Sequence, residues 1–221
     1  MRKINPGQIV VFSVLLLLAL LFGIGTARIL FGGLAPGDFR GLILVVSAIV
    51  ASYAYALLLH RVFLALWPLR PGEIPEGSRQ EFVYHVYLLF YLILFYPVMR
   101  SGFVPVPLMR VFYQALGARL GANTYSSGII LDPTFVQMGR DCIVGQYALV
   151  VPHVIEGHRL AHYPIRIGNN VTIGAHAVVL SDVTIGDDAI VATGAVVKKG
   201  TRIGPGEVWG GVPAVLLQAP E

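Results

Sequence analysis

The chain has 221 residues, of which 56% are hydrophobic and only 13% are charged, and its mean hydropathy is +0.73. Soluble globular domains have about 25% charged residues, so this composition excludes an ordinary soluble protein, and it is too apolar for a disordered chain. Residues 1–119 carry 10 basic and 4 acidic side chains, whereas residues 120–221 carry 6 and 8. Positive charge concentrated in the hydrophobic half indicates membrane orientation and headgroup contact rather than nucleic-acid binding.

Three apolar runs in the first half predict a multi-pass membrane region over residues 1–119. They cover residues 9–25, 41–59 and 82–98, and each is close to the ~20 residues that cross a bilayer as a helix. The first run follows a basic N-terminus, so a signal peptide is the alternative for it. Two further runs follow, however, so the chain is predicted to be a membrane protein under either interpretation.

Two histidines lie at the end of an apolar run or inside one. These are His60 and His85. A polar group at membrane depth is a candidate functional residue. The alternative for each is a helix–helix hydrogen bond or an aromatic-like position near the membrane surface.

The membrane topology depends on residues 99–119, where Pro105 and Pro107 interrupt any straight span. From Pro107 onward the pattern favours an amphipathic helix in the interface, with a broken fourth span as the alternative. Basic residues place the N-terminus and the loop 60–80 in the cytoplasm, yet a complete third span would then put the second half outside. Either the third run turns back, or residues 101–118 complete a hairpin, or the charge rule does not hold here. We favour the hairpin, with the second half facing the cytoplasm.

The second half contains an internal repeat of six residues. A β-branched aliphatic residue occurs at every sixth position, often followed by glycine or alanine: Ile167, Ile173, Val179, Ile185, Val191, Val197 and Ile203. Six residues per flat face and three faces per turn give a parallel β-helix in which these side chains stack inward. Glycine at this density excludes an α-helix, because each would cost about 1 kcal/mol.

A weaker version of the same frame precedes this repeat. It passes through Leu120, Asp132, Met138, Val144 and Val150. The interval from Val150 to Ile167 is not a multiple of six, so residues 153–166 are predicted to leave the coil as a loop. Insertions in repeat scaffolds often carry function. The lone Cys142 excludes an intrachain disulfide and a multi-thiolate metal site, and is predicted to lie in the core.

The repeat resembles the hexapeptide-repeat family of left-handed β-helix acyltransferases, and the tail Gly211-Val212-Pro213-Ala214 resembles that family's Gly-x-Pro-Ala signature. The predicted fold class is therefore α + β, with transmembrane and interfacial helices over 1–119 and a left-handed β-helix domain over 120–221. The resemblance implies a homotrimer with active sites between subunits. It also implies acetyl-coenzyme A or another acyl-coenzyme A as donor, with no metal.

Resemblance to membrane-anchored members, including modules of certain peptide synthetases, implies that a loop histidine is the general base. His153 and Glu156 stand in the His-x-x-Glu step of those proteins, while Gly157-His158 aligns with the Gly-His pair of soluble sugar acetyltransferases. A neutral imidazole can accept a proton from an attacking hydroxyl or amine near pH 7. His153 is the favoured base, His158 is the alternative, and Glu156 would orient the ring or hold the acceptor.

The family pattern also implies a set of residues that contact coenzyme A. Backbone groups would meet the thioester arm, ammonium groups would meet the phosphates, and an indole would cover the adenine or cap the apolar end of the coil. The backbone candidates are Ala175 and Thr193, and the ammonium groups are those of Lys198 and Lys199. The indole is that of Trp209, and Gly211 of the tail is a further candidate. Ordinary surface lysines are the alternative for the two ammonium groups, and Asp132 is predicted to shape a turn or touch the acceptor.

Two other functions remain open. A γ-class carbonic anhydrase-like zinc enzyme would use His153 and His158, which are five residues apart, with His176 as third ligand. A non-enzymatic trimeric membrane scaffold would use the coil alone. The acceptor of an acyltransferase is not specified beyond a small-molecule or lipid-linked hydroxyl or amine at the cell membrane, with membrane lipid as a further partner.

Overall fold

The computed structural model describes residues 2–35 and 37–220, which form two compact units. The helical unit comprises residues 2–35, 37–69 and 77–95, and the coil unit comprises residues 70–76 and 96–220. The sequence predicted a boundary at residue 120. By their contacts, residues 70–76 and 96–119 group with the repeat.

Long helices dominate the helical unit. Its elements are α1 (Pro6–Phe31), a 3₁₀ turn (Gly37–Phe39), α2 (Arg40–Leu66), α3 (Arg79–Phe90) and a π-helical turn (Tyr91–Phe95). Asn5 and Gln8 form a capping box at the start of α1, where each side chain accepts a hydrogen bond from the other residue's backbone N–H, at 3.0 and 2.7 Å. Helices α1 and α2 approach closely at Gly23, where a Cβ atom would collide with Ser52. Glycine is therefore required for this packing.

Three helices are long and apolar enough to cross a membrane. They are Pro6–Phe31, Gly37–Leu66 and Arg79–Arg100, and they contain the three predicted runs. Only 17% and 11% of the most apolar windows of the first two are buried within the protein, compared with 50% for the third. The first turn of the third helix also carries Glu81, which accepts a hydrogen bond from Arg2 Nη1 at 3.0 Å. The third helix thus differs from the other two in both burial and polarity.

The two intramembrane histidine candidates lie in different surroundings within the helical unit. His85 Nδ1 lies 3.1 Å from Gln8 Oε1, so it takes part in a hydrogen bond between helices. His60 is fully buried and packs against the rings of Tyr87, Phe90 and Phe95. The hydrogen-bond alternative therefore describes His85, while His60 has an aromatic environment.

Parallel strands form the three faces of a coil, as the six-residue repeat predicted. The first face contains β2 (Arg119–Leu120), β5 (Val136–Met138), β10 (Ile165–Ile167), β13 (Thr184–Ile185) and β16 (Arg202–Ile203). The second contains β3 (Tyr125–Ser126), β6 (Ile143–Val144), β11 (Thr172–Ile173), β14 (Ile190–Val191), β17 (Val208–Gly210) and the antiparallel β18 (Val215–Gln218). The third contains β4 (Ile129–Ile130), β7 (Leu149–Val150), β12 (Val178–Val179) and β15 (Val196–Val197).

The register confirms the predicted turn of three six-residue faces over the second part of the repeat. Ile167 pairs with Ile185, which pairs with Ile203, and Ile173 pairs with Val191. All seven predicted inward residues are buried. Cys142 is also fully buried. Apolar burial of this kind stabilises the coil by roughly 25 cal/mol per Å².

Two departures from this register occur between the third face and the first. On the third face, Ile130 pairs with Val150, and Val150 pairs with Val179. The turn from Ile130 to Val150 is therefore longer than a regular turn, and the turn from Val150 to Val179 is longer still. The first departure corrects the frame assigned to Asp132, because Ile130 occupies the inward position of the third face instead. Asp132 lies outside the strands, just before a 3₁₀ turn (Pro133–Phe135).

The second departure is an ordered hairpin rather than the predicted irregular loop. Strands β8 (His153–Glu156) and β9 (Arg159–His162) pair in antiparallel fashion. Strand β1 (Gly72–Glu73) pairs with the other edge of β9, and Glu73 accepts a hydrogen bond from Arg159 Nε at 2.9 Å. A segment that is distant in sequence therefore completes a three-stranded sheet.

Helix α5 (Val106–Ala115) follows the short helix α4 (Tyr96–Arg100) and packs against the first turn of the coil. The fully buried Tyr113 hydroxyl donates to Gly128 O at 3.1 Å and accepts from Ile130 N at 3.2 Å. Arg110 Nη2 donates to Gly121 O at 2.9 Å. With 10 residues, α5 is about 15 Å long, half the thickness of a bilayer core. It is therefore too short to form the second arm of a membrane hairpin.

Candidate active site

A buried carboxylate lies where the first departure interrupts the coil. Asp132 adopts the left-handed conformation, with φ 42° and ψ 63°, and only 4% of its surface is exposed. Aspartate is one of the few residues that visits this conformation at low cost. The turn directs the carboxylate toward the hairpin formed by β8 and β9, because it contacts two histidines of that hairpin.

His153 and Asp132 form a close pair. His153 Nδ1 lies 2.5 Å from Asp132 Oδ2, and 28% of the histidine side chain remains exposed. Burial disfavours the charged imidazole, but the hydrogen bond and charge of Asp132 outweigh burial and raise the pKa of His153. Burial likewise disfavours the Asp132 anion, yet the hydrogen bond with His153 and the charge of the two histidines lower its pKa well below the usual range.

The pairing determines which ring nitrogen of His153 is available for chemistry. Since an ionised carboxylate only accepts hydrogen bonds, His153 Nδ1 carries a proton and donates it in a hydrogen bond to Asp132. In the neutral ring the lone pair is then on Nε2, which is the general-base arrangement. The partial exposure of the side chain allows a second molecule to reach it.

His162 is the second histidine beside this carboxylate. It is the cross-strand partner of His153 in the hairpin, and its Nε2 lies 3.9 Å from Asp132 Oδ1. Its ring is fully buried and stacks on Phe135, with 4.6 Å between ring centroids. His162 therefore forms a wall behind Asp132, away from solvent.

The structure does not bring the other two predicted catalytic residues to this pair. Glu156 is at the far end of β8, where its carboxylate binds Lys199 Nζ and lies 3.8 Å from Arg159 Nη1. His158 is exposed in the turn of the hairpin. At about 3.3 Å per strand residue, the turn is roughly 10 Å from His153.

Two predicted cofactor contacts are stacked at one corner of the coil. Ala175 and Thr193 occupy equivalent positions in successive turns, between the second and third faces. The Ala175 carbonyl accepts a hydrogen bond from Gly194 N at 2.9 Å. A Cβ atom at Gly174 would collide with the backbone of Thr193, so the two turns approach closely along this corner.

The remaining predicted cofactor residues are distributed over the following strands. Lys198 is exposed at the end of β15, and its neighbour Lys199 is paired with Glu156. Trp209 lies in β17 and donates from Nε1 to Glu207 Oε2 at 2.8 Å. Gly211 follows with φ +93°, and its carbonyl accepts from Val196 N at 3.0 Å.

The predicted zinc ligands do not form a cluster within this chain. His153 faces Asp132, His158 is in the hairpin turn, and the ring of His176 stacks on Tyr147 at another corner, 5.1 Å between centroids. Among residues 2–35 and 37–220, no group of three histidine, cysteine or acidic side chains is arranged to hold a metal ion.

Comparisons with known proteins find a family model and several relatives that match part of this chain. Residues 164–199 match the family model of the bacterial transferase hexapeptide (six repeats). A galactoside O-acetyltransferase of Escherichia coli (strain K12) is 36% identical over 34% of this chain and 42% of its own. A mitochondrial gamma carbonic anhydrase 2 of Arabidopsis thaliana is 34% identical over 40% of this chain and 33% of its own.

A solved structure is also similar to part of this chain. A hexapeptide-repeat acetyltransferase of Vibrio cholerae O1 biovar eltor, in complex with acetyl-coenzyme A, is 26% identical, with a TM-score of 0.43. The alignment covers 48% of this chain and 61% of that one. The chain spans less than half the length of the two curated relatives above.

Proposed function

We propose that the protein is a membrane-bound acyltransferase that moves an acyl group, in the first place acetyl, from a coenzyme A thioester to a hydroxyl or amine. The observation that carries this proposal is the 2.5 Å contact between His153 and the buried Asp132. It supplies a general base with one defined nitrogen available. The repeat matched by the bacterial transferase model and the relative named as an acetyltransferase both support this reaction class.

His153 Nε2 would accept the proton of the acceptor O–H or N–H as its oxygen or nitrogen attacks the thioester carbonyl carbon. The developing imidazolium is stabilised by Asp132 across the Nδ1 hydrogen bond. Collapse of the tetrahedral intermediate breaks the carbon–sulfur bond. The thiolate of coenzyme A then takes the proton from the imidazolium, so His153 is neutral again and no metal takes part.

The donor site is proposed along the corner that holds Ala175 and Thr193, with Lys198, Trp209 and Gly211 as further contacts. Lys199 is proposed to act near this site together with Glu156, to which it is bound. Since Asp132 and not Glu156 contacts the His153 ring, Asp132 takes the orienting role in this scheme, and His158 is the less favoured base.

We also propose a homotrimer. The outward rows of the second and third faces support it, because they are mostly apolar in the part of the chain that the structure describes: Tyr125, Ile143, Thr172, Ile190 and Val208 on one face, and Ile129, Leu149, Val178 and Val196 on the other. Rows of this kind suit burial against copies of the same chain.

The coil unit is proposed to face the cytoplasm, where acyl-coenzyme A is available, at the cell membrane. We infer that α1 and α2 form a membrane hairpin and that the third long helix does not cross. Half of that helix's window is buried in protein, and its first turn contains the Arg2–Glu81 ion pair. This arrangement leaves the N-terminus and the coil on one side, in agreement with the positive residues near both.

The reaction is tested with the full chain in detergent. Saturable binding of acetyl-coenzyme A by calorimetry is expected in the micromolar range, about −8 kcal/mol, followed by thiol release with a panel of hydroxyl and amine acceptors. His153→Ala should abolish most thiol release without weakening donor binding. A folded protein that does not bind the donor would refute the proposal, and metal analysis would then decide between a zinc enzyme and a scaffold.

A further inference from the structure

The first face of the coil differs from the other two in charge. Its outward side chains form one row across five strands, in register: Arg119, Gln137, Arg166, Thr184 and Arg202. Every member of this row can donate a hydrogen bond. Among the described residues, the outward rows of the second and third faces contain no charged side chain, so the first face has the only charged outward row of the three.

A groove of about 710 Å³ lies along this face beside α5. Arg119, Gln137, Arg166 and Thr184 line it together with Gln114, whereas none of the described residues that line it is acidic. Within residues 2–35 and 37–220, neither Arg119 nor Arg166 has an ion-pair partner. The groove thus contains two uncompensated guanidinium groups.

Carboxylates near the ends of this face are already bound elsewhere. Asp187, at the corner next to Gly168, accepts hydrogen bonds from the backbone N and the side-chain amide of Asn169, at 2.8 and 3.2 Å. Asp182 pairs with Arg202 at 3.2 Å, and Arg202 is not part of the groove lining. Neither of these two carboxylates forms an ion pair with Arg119 or Arg166.

The two interruptions of the coil lead into two strands that line the groove. The turn that holds Asp132 leads directly into β5, which contains Gln137, and β9, which ends at His162, leads after two residues into β10, which contains Arg166. In both strands the inward neighbours are buried and these two side chains point outward. From Gln137 and Arg166 the groove lining continues through Gly139 and Gly168 toward the second face, so an acceptor bound there would extend across the first face to reach His153.

We propose that this groove binds a phosphate group of the acyl acceptor, with Arg119 and Arg166 as the residues that determine specificity. The inference rests on the proposed acyl transfer and names its acceptor class. Arginine forks match phosphate oxygens, and the Gln137 amide supplies a third donor between them. Adjacent strands are about 4.8 Å apart, so donors on three consecutive strands suit three oxygens better than a two-oxygen carboxylate.

The test is calorimetry on the full chain in dodecyl maltoside, with acetyl-coenzyme A at saturation so that the phosphate probes cannot occupy the donor site. The probes are inorganic phosphate and phosphatidic acid in mixed micelles, with phosphatidylcholine as the lipid control. The variants are Arg119→Gln, Arg166→Gln and the double variant. Glutamine already occupies this row at residue 137, so the fold is expected to accept it, which thermal unfolding checks. Arg202→Gln, on the same row but outside the groove, is the matched control.

Phosphate probes are expected to bind the wild type saturably, at least tenfold more weakly to each single variant, and unchanged to Arg202→Gln. Binding of both probes would identify phosphate alone as the recognised group, whereas binding of phosphatidic acid only would identify a lipid headgroup. Equal probe binding by wild type and double variant would overturn the proposal. So would a loss of acetyl-coenzyme A affinity in the double variant, since the groove would then belong to the donor. Failure of the wild type to bind acetyl-coenzyme A would instead refute the proposed function, and the phosphate titrations would still decide the groove.

Discussion

Replacing Asp132 with asparagine removes the negative charge beside His153 and keeps the size of the side chain. A hydrogen bond to a charged group contributes about 1.5–3 kcal/mol. Asp132 stabilises the imidazolium that forms in the transition state, and each ~1.36 kcal/mol changes the rate about tenfold. The Asp132→Asn variant is therefore expected to lose about 10- to 150-fold in kcat/KM.

The pH dependence gives a signature that a merely structural role would not produce. Asp132 raises the pKa of His153, and the base must be neutral to act. Activity of the wild type should therefore rise with pH through this elevated pKa. In Asp132→Asn the pKa falls, and the acid limb of the profile should move to lower pH. Thiol release from acetyl-coenzyme A across pH 5–9 measures the limb, and NMR titration of the His153 imidazole measures the pKa directly.

The free energy of unfolding should also depend on pH through this pair, and the two partners should act in opposite directions. The raised pKa of His153 contributes stability that is lost as pH rises through it, whereas the lowered pKa of Asp132 contributes stability that is lost as pH falls through it. The difference in unfolding free energy between wild type and Asp132→Asn should thus be largest between these two pKa values.

A matched control exists in the same fold. Asp182 is also an aspartate with positive φ at a corner of the coil, but its side chain is on the surface with Arg202. Asp182→Asn should leave both kcat/KM and the pH profile unchanged. If Asp132→Asn leaves the acid limb where it is, or lowers activity no more than Asp182→Asn, the proposed coupling between Asp132 and His153 is wrong.

The hairpin, the packing of α5 and the membrane topology give three further predictions. His153→Ala should lower kcat/KM by about 10²- to 10⁴-fold, whereas His158→Ala should stay within tenfold of wild type, and equal losses would contradict the choice of base. Tyr113→Phe removes the hydroxyl that Ile130 N–H donates to and should lower the free energy of unfolding by about 1–3 kcal/mol. The exposed Tyr147→Phe is its control, measured by denaturant unfolding. Cys142 is the single cysteine and is buried, so a cysteine introduced at Ser101 can be labelled selectively. It should react with an impermeant thiol reagent only from the cytoplasmic side. Labelling from outside would refute the α1–α2 hairpin topology.

The regular part of the coil could be predicted from sequence because its physics is local. From Ile167 to Ile203 one inward aliphatic residue per six residues fixes the register, and a slip by one residue would expose the whole stack. In the first turn the same six-residue frame passed through Asp132, whereas the inward residue of the third face is Ile130, two residues earlier. The six-residue spacing alone does not show that Asp132, which precedes a proline, is a corner residue rather than an inward one.

The hairpin and its third strand were beyond local pattern. The sequence signalled a break after Val150 but not antiparallel pairing of β8 with β9. The partner strand at Gly72–Glu73 is separated from β9 by most of the chain's middle section. Pairing between segments so far apart depends on the tertiary fold. For the same reason His162 could not be recognised as a neighbour of Asp132, although both lie in segments where the repeat is interrupted.

The location of these interruptions accounts for the site. In a regular turn, the inward side chain of each strand is aliphatic and the outward side chain stacks in register with those of the neighbouring turns. Such a turn does not bring a buried carboxylate against a partly exposed imidazole. The coil is interrupted twice, between Ile130 and Val136 and between Val150 and Ile165, and both interruptions lie at the same corner one turn apart. One contributes Asp132 and the other His153. The stacked strands on either side hold the two segments in register, so the scaffold orients the pair while the irregular residues supply the chemistry.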